Sequence, residues 1–439
     1  QNVIVNGTAE DDDFTYQPTG AAAGTITKAG LGVVANLSTV GNLTVDGQGV
    51  AASSGDDTLT VLGTTAVDAY TITSTSVVHA TLQNVDAIAN IDALAVHGGE
   101  GADTFGITAG GVPIFIDGGD AIGAGDAITI SAGANSATFN TGPETDEGSF
   151  TIGGATGLVS FDHVESLTVD GTSVAGNAAT VNGHSADNDI TLTQITDGDD
   201  FTVGIDGQTV TFTDFNAATL NGGDGDDDIT VAYLTGTEFT TTVAVNGQSP
   251  TGNVGDTLQV ATTTGADAIA ITSTMITLAG SGAITYGTLE SLSLDALAGV
   301  DTVTVAGATA ATAYDYTPGG GIDEGSLLID SLPLSFSGLG AGETITMTGA
   351  SLVAHGTDGD NVFSLGAAAN RLTVDGRVNL DRASLATLTL DGLAGDDTFT
   401  IASGHGYTTV NVDGGSPSNT DVGTITADGA NAVTMTLGT

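Results

Sequence analysis

The sequence predicts an all-β chain: an elongated, β-helix-like solenoid of short repeated rungs, with a row of tandem β-sandwich modules as the alternative. Three observations carry this expectation. Short runs alternate apolar residues with Thr, Ser or Asp at period two, as in Thr58-Leu59-Thr60-Val61, which puts Leu59 and Val61 on one face. Glycine is frequent, 66 of 439 residues against 7 Pro, so tight corners are frequent too. Strand-and-turn phrases recur along the whole chain. No stretch carries a helical period, and the Ala-rich piece at 307–313 is short and Gly-bounded. Small inward residues, 5% aromatics and no Trp suit narrow coils better than one large globule.

Each strand can be justified in chain order. DDDFTY at 11–16 opens the series. VGNLTVDG, ending at Gly47, introduces the first pattern: apolar-x-x-apolar-x-apolar, a polar turn residue, then usually Gly. GDDTLTV at 55–61 introduces the second, Gly-x-Asp-x-apolar-x-apolar. The pair returns as IDALAVHG, ending at Gly98, and GADTFGI at 101–107. FIDGGDAIGAGDAITI at 115–130 is a third pattern, a Gly-rich turn between two strands. VESLTVDG ends at Gly171, FNAATLNG at Gly222, and GDDDITV covers 225–231. VNGQSPTGNVGDTLQV at 245–260 repeats the third pattern, and GADAIAI follows at 265–271. LESLSLDA ends at Ala296, GVDTVTV covers 299–305 and GDNVF 359–363. LATLTLDG ends at Gly392, GDDTFTI covers 395–401, and VDGGSPSNTDVGTITA at 412–427 closes the series.

The polar turn residues Asp46, His97, Asp170, Asn221, Asp295 and Asp391 carry a longer period. Asp46 to Asp170 and His97 to Asn221 are both 124 residues, and Asp170 to Asp295 is 125. A tandem duplication follows, with β-repeat regions at 1–130, 131–260 and a diverged 261–439. The last step, Asp295 to Asp391, is only 96.

Charge narrows the function classes. The chain holds 53 acids against 4 bases, a formal net charge of −49. Nine acids are Glu and the rest Asp, concentrated beside Gly, so they mark turns or cation sites rather than helices. Four cations cannot offset a phosphate backbone, which excludes nucleic acid and anionic membranes as partners. There is no Cys, hence no disulfide, and no apolar run of membrane-spanning length. A start at Gln1 rather than Met suggests a processed product or an excised segment.

The second pattern resembles the calcium-binding nonapeptide GGxGxDxUx of RTX proteins. GGEGADTFG at 98–106 and GGDGDDDIT at 222–230 match every fixed position, and GLAGDDTFT at 392–400 misses one Gly. The resemblance implies structural Ca²⁺ held by Asp103, Asp227 and Asp397, with Asp57 and Asp301 as weaker matches. RTX sites need consecutive nonapeptides, whereas these motifs stand alone, so each requires a partner turn from elsewhere. Clusters at Asp11-Asp12-Asp13, Asp199-Asp200 and Asp226-Asp227-Asp228 offer further carboxylates. The competing reading is that each Asp bonds the backbone N–H groups of its own turn.

Phrases such as SLTVDG, GDDTFTI and VNVDGGSP resemble the giant, acidic, repeat-rich cell-surface proteins of bacteria such as planctomycetes. That resemblance implies an exported structural or adhesive role. Read end to end, AVTMTLGT and QNVIVNGTAEDDDF resemble the internal stretch 345–363, so the expectation is a head-to-tail homopolymer with residues 1–8 and 430–439 in the contact. A repeat module of a large adhesin that binds surface glycans or ice is the alternative; sequons stand at Asn6, Asn36 and Asn42. No catalysis is expected. His79, His97, His163, His184, His355 and His405 lack metal-ligand spacing, and no nucleophile or phosphate-loop motif stands in context. A polysaccharide-active β-helix enzyme would need a base among Lys28, Arg371, Arg377 and Arg382, the only four cationic side chains besides His.

Overall fold

A computed structural model describes residues 1–47, 56–121, 125–172, 176–195, 198–236, 238–249, 255–367, 370–416 and 420–426. Residues 430–439, half of the expected head-to-tail contact, lie outside these. The described residues contain strands and turns and no α-helix. The chain divides into two units, Gln1–Gly223 and Asp224–Thr439.

In the first unit, β1 (Asn2–Asn6), β2 (Asp13–Gly20), β3 (Ala23–Lys28), β4 (Gly32–Ser38) and β5 (Asn42–Asp46) come first. There follow β6 (Thr58–Thr64), β7 (Ala69–Thr73), β8 (Ser76–His79), β9 (Ala87–Ala89), β10 (Ala93–Gly101), β11 (Thr104–Thr108), β12 (Ile114–Ala121) and β13 (Ala127–Gly133). The unit continues with β14 (Ala137–Thr141), β15 (Gly148–Ile152), β16 (Val159–Asp162), β17 (Ser166–Gly171), β18 (Ala178–Asn182), β19 (Asp189–Gln194), β20 (Phe201–Ile205), β21 (Gln208–Thr213) and β22 (Ala217–Asp224). Successive rungs stack strand on strand, parallel and in register. One face runs β2, β6, β10, β12, β16, and the other β7, β11, β13, β17, β21. β1, β5 and β9 form a short parallel sheet of their own.

The second unit repeats the plan with β23 (Asp228–Ala232), β24 (Thr242–Ser249), β25 (Thr257–Ala261), β26 (Ala268–Ile271), β27 (Met275–Leu278), β28 (Ile284–Gly287), β29 (Ser291–Asp295) and β30 (Thr302–Ala306). It goes on with β31 (Ala313–Pro318), β32 (Gly325–Ile329), β33 (Leu332–Ser337), β34 (Thr344–Thr348), β35 (Ser351–His355) and β36 (Val362–Leu365). The last strands are β37 (Arg371–Val374), β38 (Asn379–Arg382), β39 (Thr387–Asp391), β40 (Thr398–Ala402), β41 (Thr409–Asp413) and β42 (Val422–Thr426).

The fold is a β-solenoid. Immunoglobulin-like sandwich sheets are antiparallel, whereas here parallel ladders join each rung to the next. Stacking like on like builds the core: Leu59, Leu94, Ile114 and Val159 lie in register and are at most 1% exposed. Tyr70 and Phe105 stack at 5.5 Å, and Phe363 and Phe399 at 4.8 Å. Leu59 and Val61 are buried while Thr58 and Thr60 are half-buried, as the alternation predicts.

One feature of the coil does not follow from the alternation. At intervals the chain folds into a three-strand antiparallel meander before moving on: β14–β16, β19–β21, β26–β28, β31–β33 and β36–β38. Within each unit the third strand pairs parallel with the preceding rung, as β16 with β12, β28 with β24 and β38 with β34. The first strand pairs with the following rung, as β14 with β18 and β26 with β30. Whole-rung bookkeeping also explains the short repeat step. From β17 to β29 the chain passes β22 to β25, two rungs, between its two meanders, but from β29 to β39 it passes only β34 and β35, one rung.

Candidate functional site

The residues that recur most regularly are acids at the corner just before a parallel strand. Asp57 precedes β6, Asp103 β11, Asp227 β23, Asp301 β30 and Asp397 β40, and all five are at most 2% exposed. Each carboxylate that accepts does so from the backbone N–H at the same corner of the adjacent rung. Asp57 Oδ1 accepts from Asp12 at 2.8 Å, and Asp57 itself donates its N–H to Asp92 at 3.0 Å. Asp68 donates to Asp103, Asp103 to Asp126 and Asp126 to Glu165, at 2.6, 2.6 and 2.5 Å. The second unit has Asp227 to Asp256 to Glu290 (2.9 and 2.7 Å), Asp267 to Asp301 (2.7 Å), and Asn361 to Asp397 to Asp421 (2.8 and 3.0 Å). Charge-assisted bonds of this kind are about twice as strong as neutral ones.

The five expected metal residues thus fall in five ladders, each beside its own ladder neighbours. Two belong to the first unit and three to the second. Their Oδ1 atoms, where a bond is seen, face N–H donors. The second oxygens of Asp103, Asp126, Asp256, Asp301 and Asp397 are buried without a hydrogen-bond partner. Burial pushes the Asp103 carboxyl up to about 6. It also raises Asp57, Asp126, Asp256, Asp301 and Asp397 above the usual carboxylate range.

At several of these corners a glycine makes room for the carboxylate. A Cβ on Gly98 would collide with Asp103 Oδ2 and with the Gly118 carbonyl of the next rung. Gly7, Gly118, Gly247 and Gly392 hold the same relation to Asp12, Asp126, Asp256 and Asp397. The Gly of the nonapeptide-like phrase is therefore explained by room for the carboxylate. Asp12, which the sequence placed in an acidic cluster, belongs to the ladders as fully as the five, and so do Asp68, Asp126, Asp256, Asp267 and Asp421, which were not among the expected ligands. The signal was present: an acid or Asn immediately before an alternating strand, with a Gly upstream, often five residues away.

Where a ladder begins, the first carboxylate meets another partner. Asp12 is paired with Lys28, the chain's one lysine, which projects from β3. Asp68 accepts from His79 Nε2 at 2.8 Å, both side chains being 4% exposed. At another start the residue is neutral, Asn361, whose Nδ2 donates to Asp375 at 2.8 Å.

A second polar row stands at the strand ends, where the first pattern puts its turn residue. Asn90 donates to Asp46 at 2.8 Å, Asn221 to Asn182 at 2.7 Å, and Asn182 to Asn140 at 2.8 Å. Asp117 lies between His97 (2.9 Å) and His163 (3.0 Å), and His355 between Asp315 (2.9 Å) and Asp391 (2.8 Å). His97 replaces Asp in the pattern because the neighbouring rung supplies Asp117. In these pairs donor stacks on acceptor, although Asp117 also stands opposite Asp162 and Asp391 opposite Asp413.

The arginines are held structurally. Arg371 forms a bidentate pair with Asp381 at 2.8 Å, Arg377 donates to the Gly321 carbonyl, and Arg382 donates to the Leu385 carbonyl while covering Tyr407. Of the surface acid clusters, Asp199 and Asp200 are joined by Asp214, with one oxygen from each within 4.8 Å of the others. The sequon residues Asn6, Asn36 and Asn42 are exposed. Among the described residues no helix is long and apolar enough to cross a membrane. Neither a known family model nor a curated protein matches the chain.

Proposed function

We propose that this chain is a structural subunit of an extracellular surface fibre, built by head-to-tail addition of solenoid rungs and stabilised by calcium. One observation carries the reading: the polar chemistry repeats once per rung, as carboxylate-to-backbone bonds along the stack, instead of converging on one cleft. Side chains used in this way resist axial separation of strands. The acidic, cysteine-free composition suits a secreted protein whose charge is compensated by divalent cations outside the cell. Calcium would be taken by outward carboxylates such as the Asp199, Asp200 and Asp214 group, or by the second oxygens of the corner acids.

Electron microscopy of the purified chain over rising concentration, with calcium and then with a chelator, tests the proposal. Unbranched filaments of uniform width, which fray on chelation, are expected. Separate particles of fixed size at every concentration would overturn it.

A further inference from the structure

Resting on the fibre reading, we propose that the open edge of β4 is the seat for β41 of a second copy of this chain. The argument comes from the fold's own joints. β2–β3–β4 is a meander like those described above: β2 pairs antiparallel with β3, β3 with β4, and the first strand pairs parallel with the following rung through β6. In β14–β16 and β26–β28 the third strand is covered by the preceding rung. Among the described residues β4 pairs only with β3.

Backbone geometry identifies β4 with β16 and β28. Each is followed, at the same offset, by a non-glycine residue at positive φ: His163 (54°), Thr288 (55°) and Thr39 (55°). Val159, Ile284 and Ala35 each stand four residues earlier.

The strands that cover β16 and β28 are β12 and β24. Their equivalent is β41. Residues 408–417 read TTVNVDGGSP and 241–250 read TTVAVNGQSP. A positive φ marks the same place in all three: Gly119 (93°), Gln248 (82°) and Gly415 (78°). Among the described residues β41 pairs only with β39. Val412 is 46% exposed, whereas its counterparts Ile116 and Val245, each covered by a meander strand, are 0% exposed. On β4, Val33 and Val34 are 57% and 48% exposed. A backbone contact is missing as well. A Cβ on Gly118 would strike the His163 carbonyl, and one on Gly247 the Thr288 carbonyl, but at Gly414 the three nearest atoms all belong to Asp421. The Thr39 carbonyl of a second copy completes that corner.

Register follows from Ile114 opposite Val159 and Val243 opposite Ile284. It sets Val410 opposite Ala35, Asn411 opposite Asn36 and Val412 opposite Leu37. β42 follows β41 as β25 follows β24, and β25 lies on β29, the equivalent of β5. In the joint β42 therefore takes the β5 edge, and β1, whose Ile4 is 63% exposed, gives it up.

The chain has no cysteine, so N36C and N411C can be placed in separate full-length chains. Neighbouring parallel strands bring such a pair within disulfide range. Mixed under mild oxidation, the two chains should give a reducible dimer of one each, and neither alone should dimerise. V412D, at an exposed position, should leave the monomer's melting unchanged and cut the cross-linked yield by about tenfold or more, because the joint would bury an unpaired charge. Mixed chains that stay monomeric, or that dimerise no better mixed than alone, overturn the joint. Filaments without the cross-link overturn the joint and leave the fibre standing, whereas cross-linked dimers without filaments do the reverse.

Discussion

The Asp103 carboxylate, buried at the start of β11, has one oxygen on the neighbouring rung's N–H and the other against Gly98. For Asp103 the first bond is the Asp68 N–H at 2.6 Å, and the second oxygen has no hydrogen-bond partner. Burial raises this carboxyl from an ordinary 3.8 to about 6. The folded state therefore holds its proton more tightly than the unfolded chain. Its contribution to stability is complete below about pH 4 and is lost as pH rises through about 6. Asp57, Asp126, Asp256, Asp301 and Asp397 shift the same way, so the thermal midpoint should climb as pH falls from 7 towards 4. Asp103→Asn should flatten that dependence and melt higher at pH 7. Asn188 shows how: its Nδ2 donates to the next rung's Gly222 carbonyl at 3.2 Å while its Oδ1 accepts the His184 N–H at 3.1 Å. Asp103→Ala leaves the Asp68 N–H unsatisfied and should cost about 1–3 kcal/mol, read by denaturant unfolding.

The meander is the element that sets this solenoid apart from a plain coil. It reverses the chain twice within one face, so a strand's nearest neighbours include hairpin partners as well as rung partners. β2–β3–β4 also brings Lys28 to Asp12, the carboxylate at which this ladder starts. Lys28→Met should cost about 3–5 kcal/mol at pH 7, the scale for removing one partner of a buried ion pair. Adding Asp12→Asn should recover most of the loss, since a neutral Asn361 opens another ladder without a cation. A double-mutant cycle by urea unfolding measures this; a Lys28→Met cost unchanged in the Asp12→Asn background would remove the cap from the argument.

Over the whole molecule, a net charge of −49 opposes compaction. Outward carboxylates repel one another across the rungs, and salt shortens that repulsion to about 8–10 Å at 0.1–0.15 M. Millimolar CaCl₂ should raise the melting temperature more than NaCl of equal ionic strength, and a chelator should reverse it. Equal effects of the two salts would reduce calcium to a screening ion. The measurement bears on cohesion along the stack, because each added rung brings further acids.

The residues alone determined the all-β class, the two faces of each strand, the 124-residue recurrence and the five corner acids. All of these are local: alternation sets a face, and Gly with Asp sets a corner, whatever the strand is paired to. Asp68 and Asp126 carry the same signal, yet Asp126 was legible only after Gly118 was seen to make room for its carboxylate. Partner choice was decided by the tertiary structure. A strand such as Thr138-Phe139-Asn140 alternates identically whether its neighbour is the hairpin strand β15 or the rung strand β18, and it has both. Likewise nothing near Lys28 in sequence points to Asp12, nor anything near His79 to Asp68, because the need for a counter-charge arises only where a ladder starts. Pairing is a long-range property of backbone groups that are the same in every residue, and side-chain pattern constrains it only through which face must be buried.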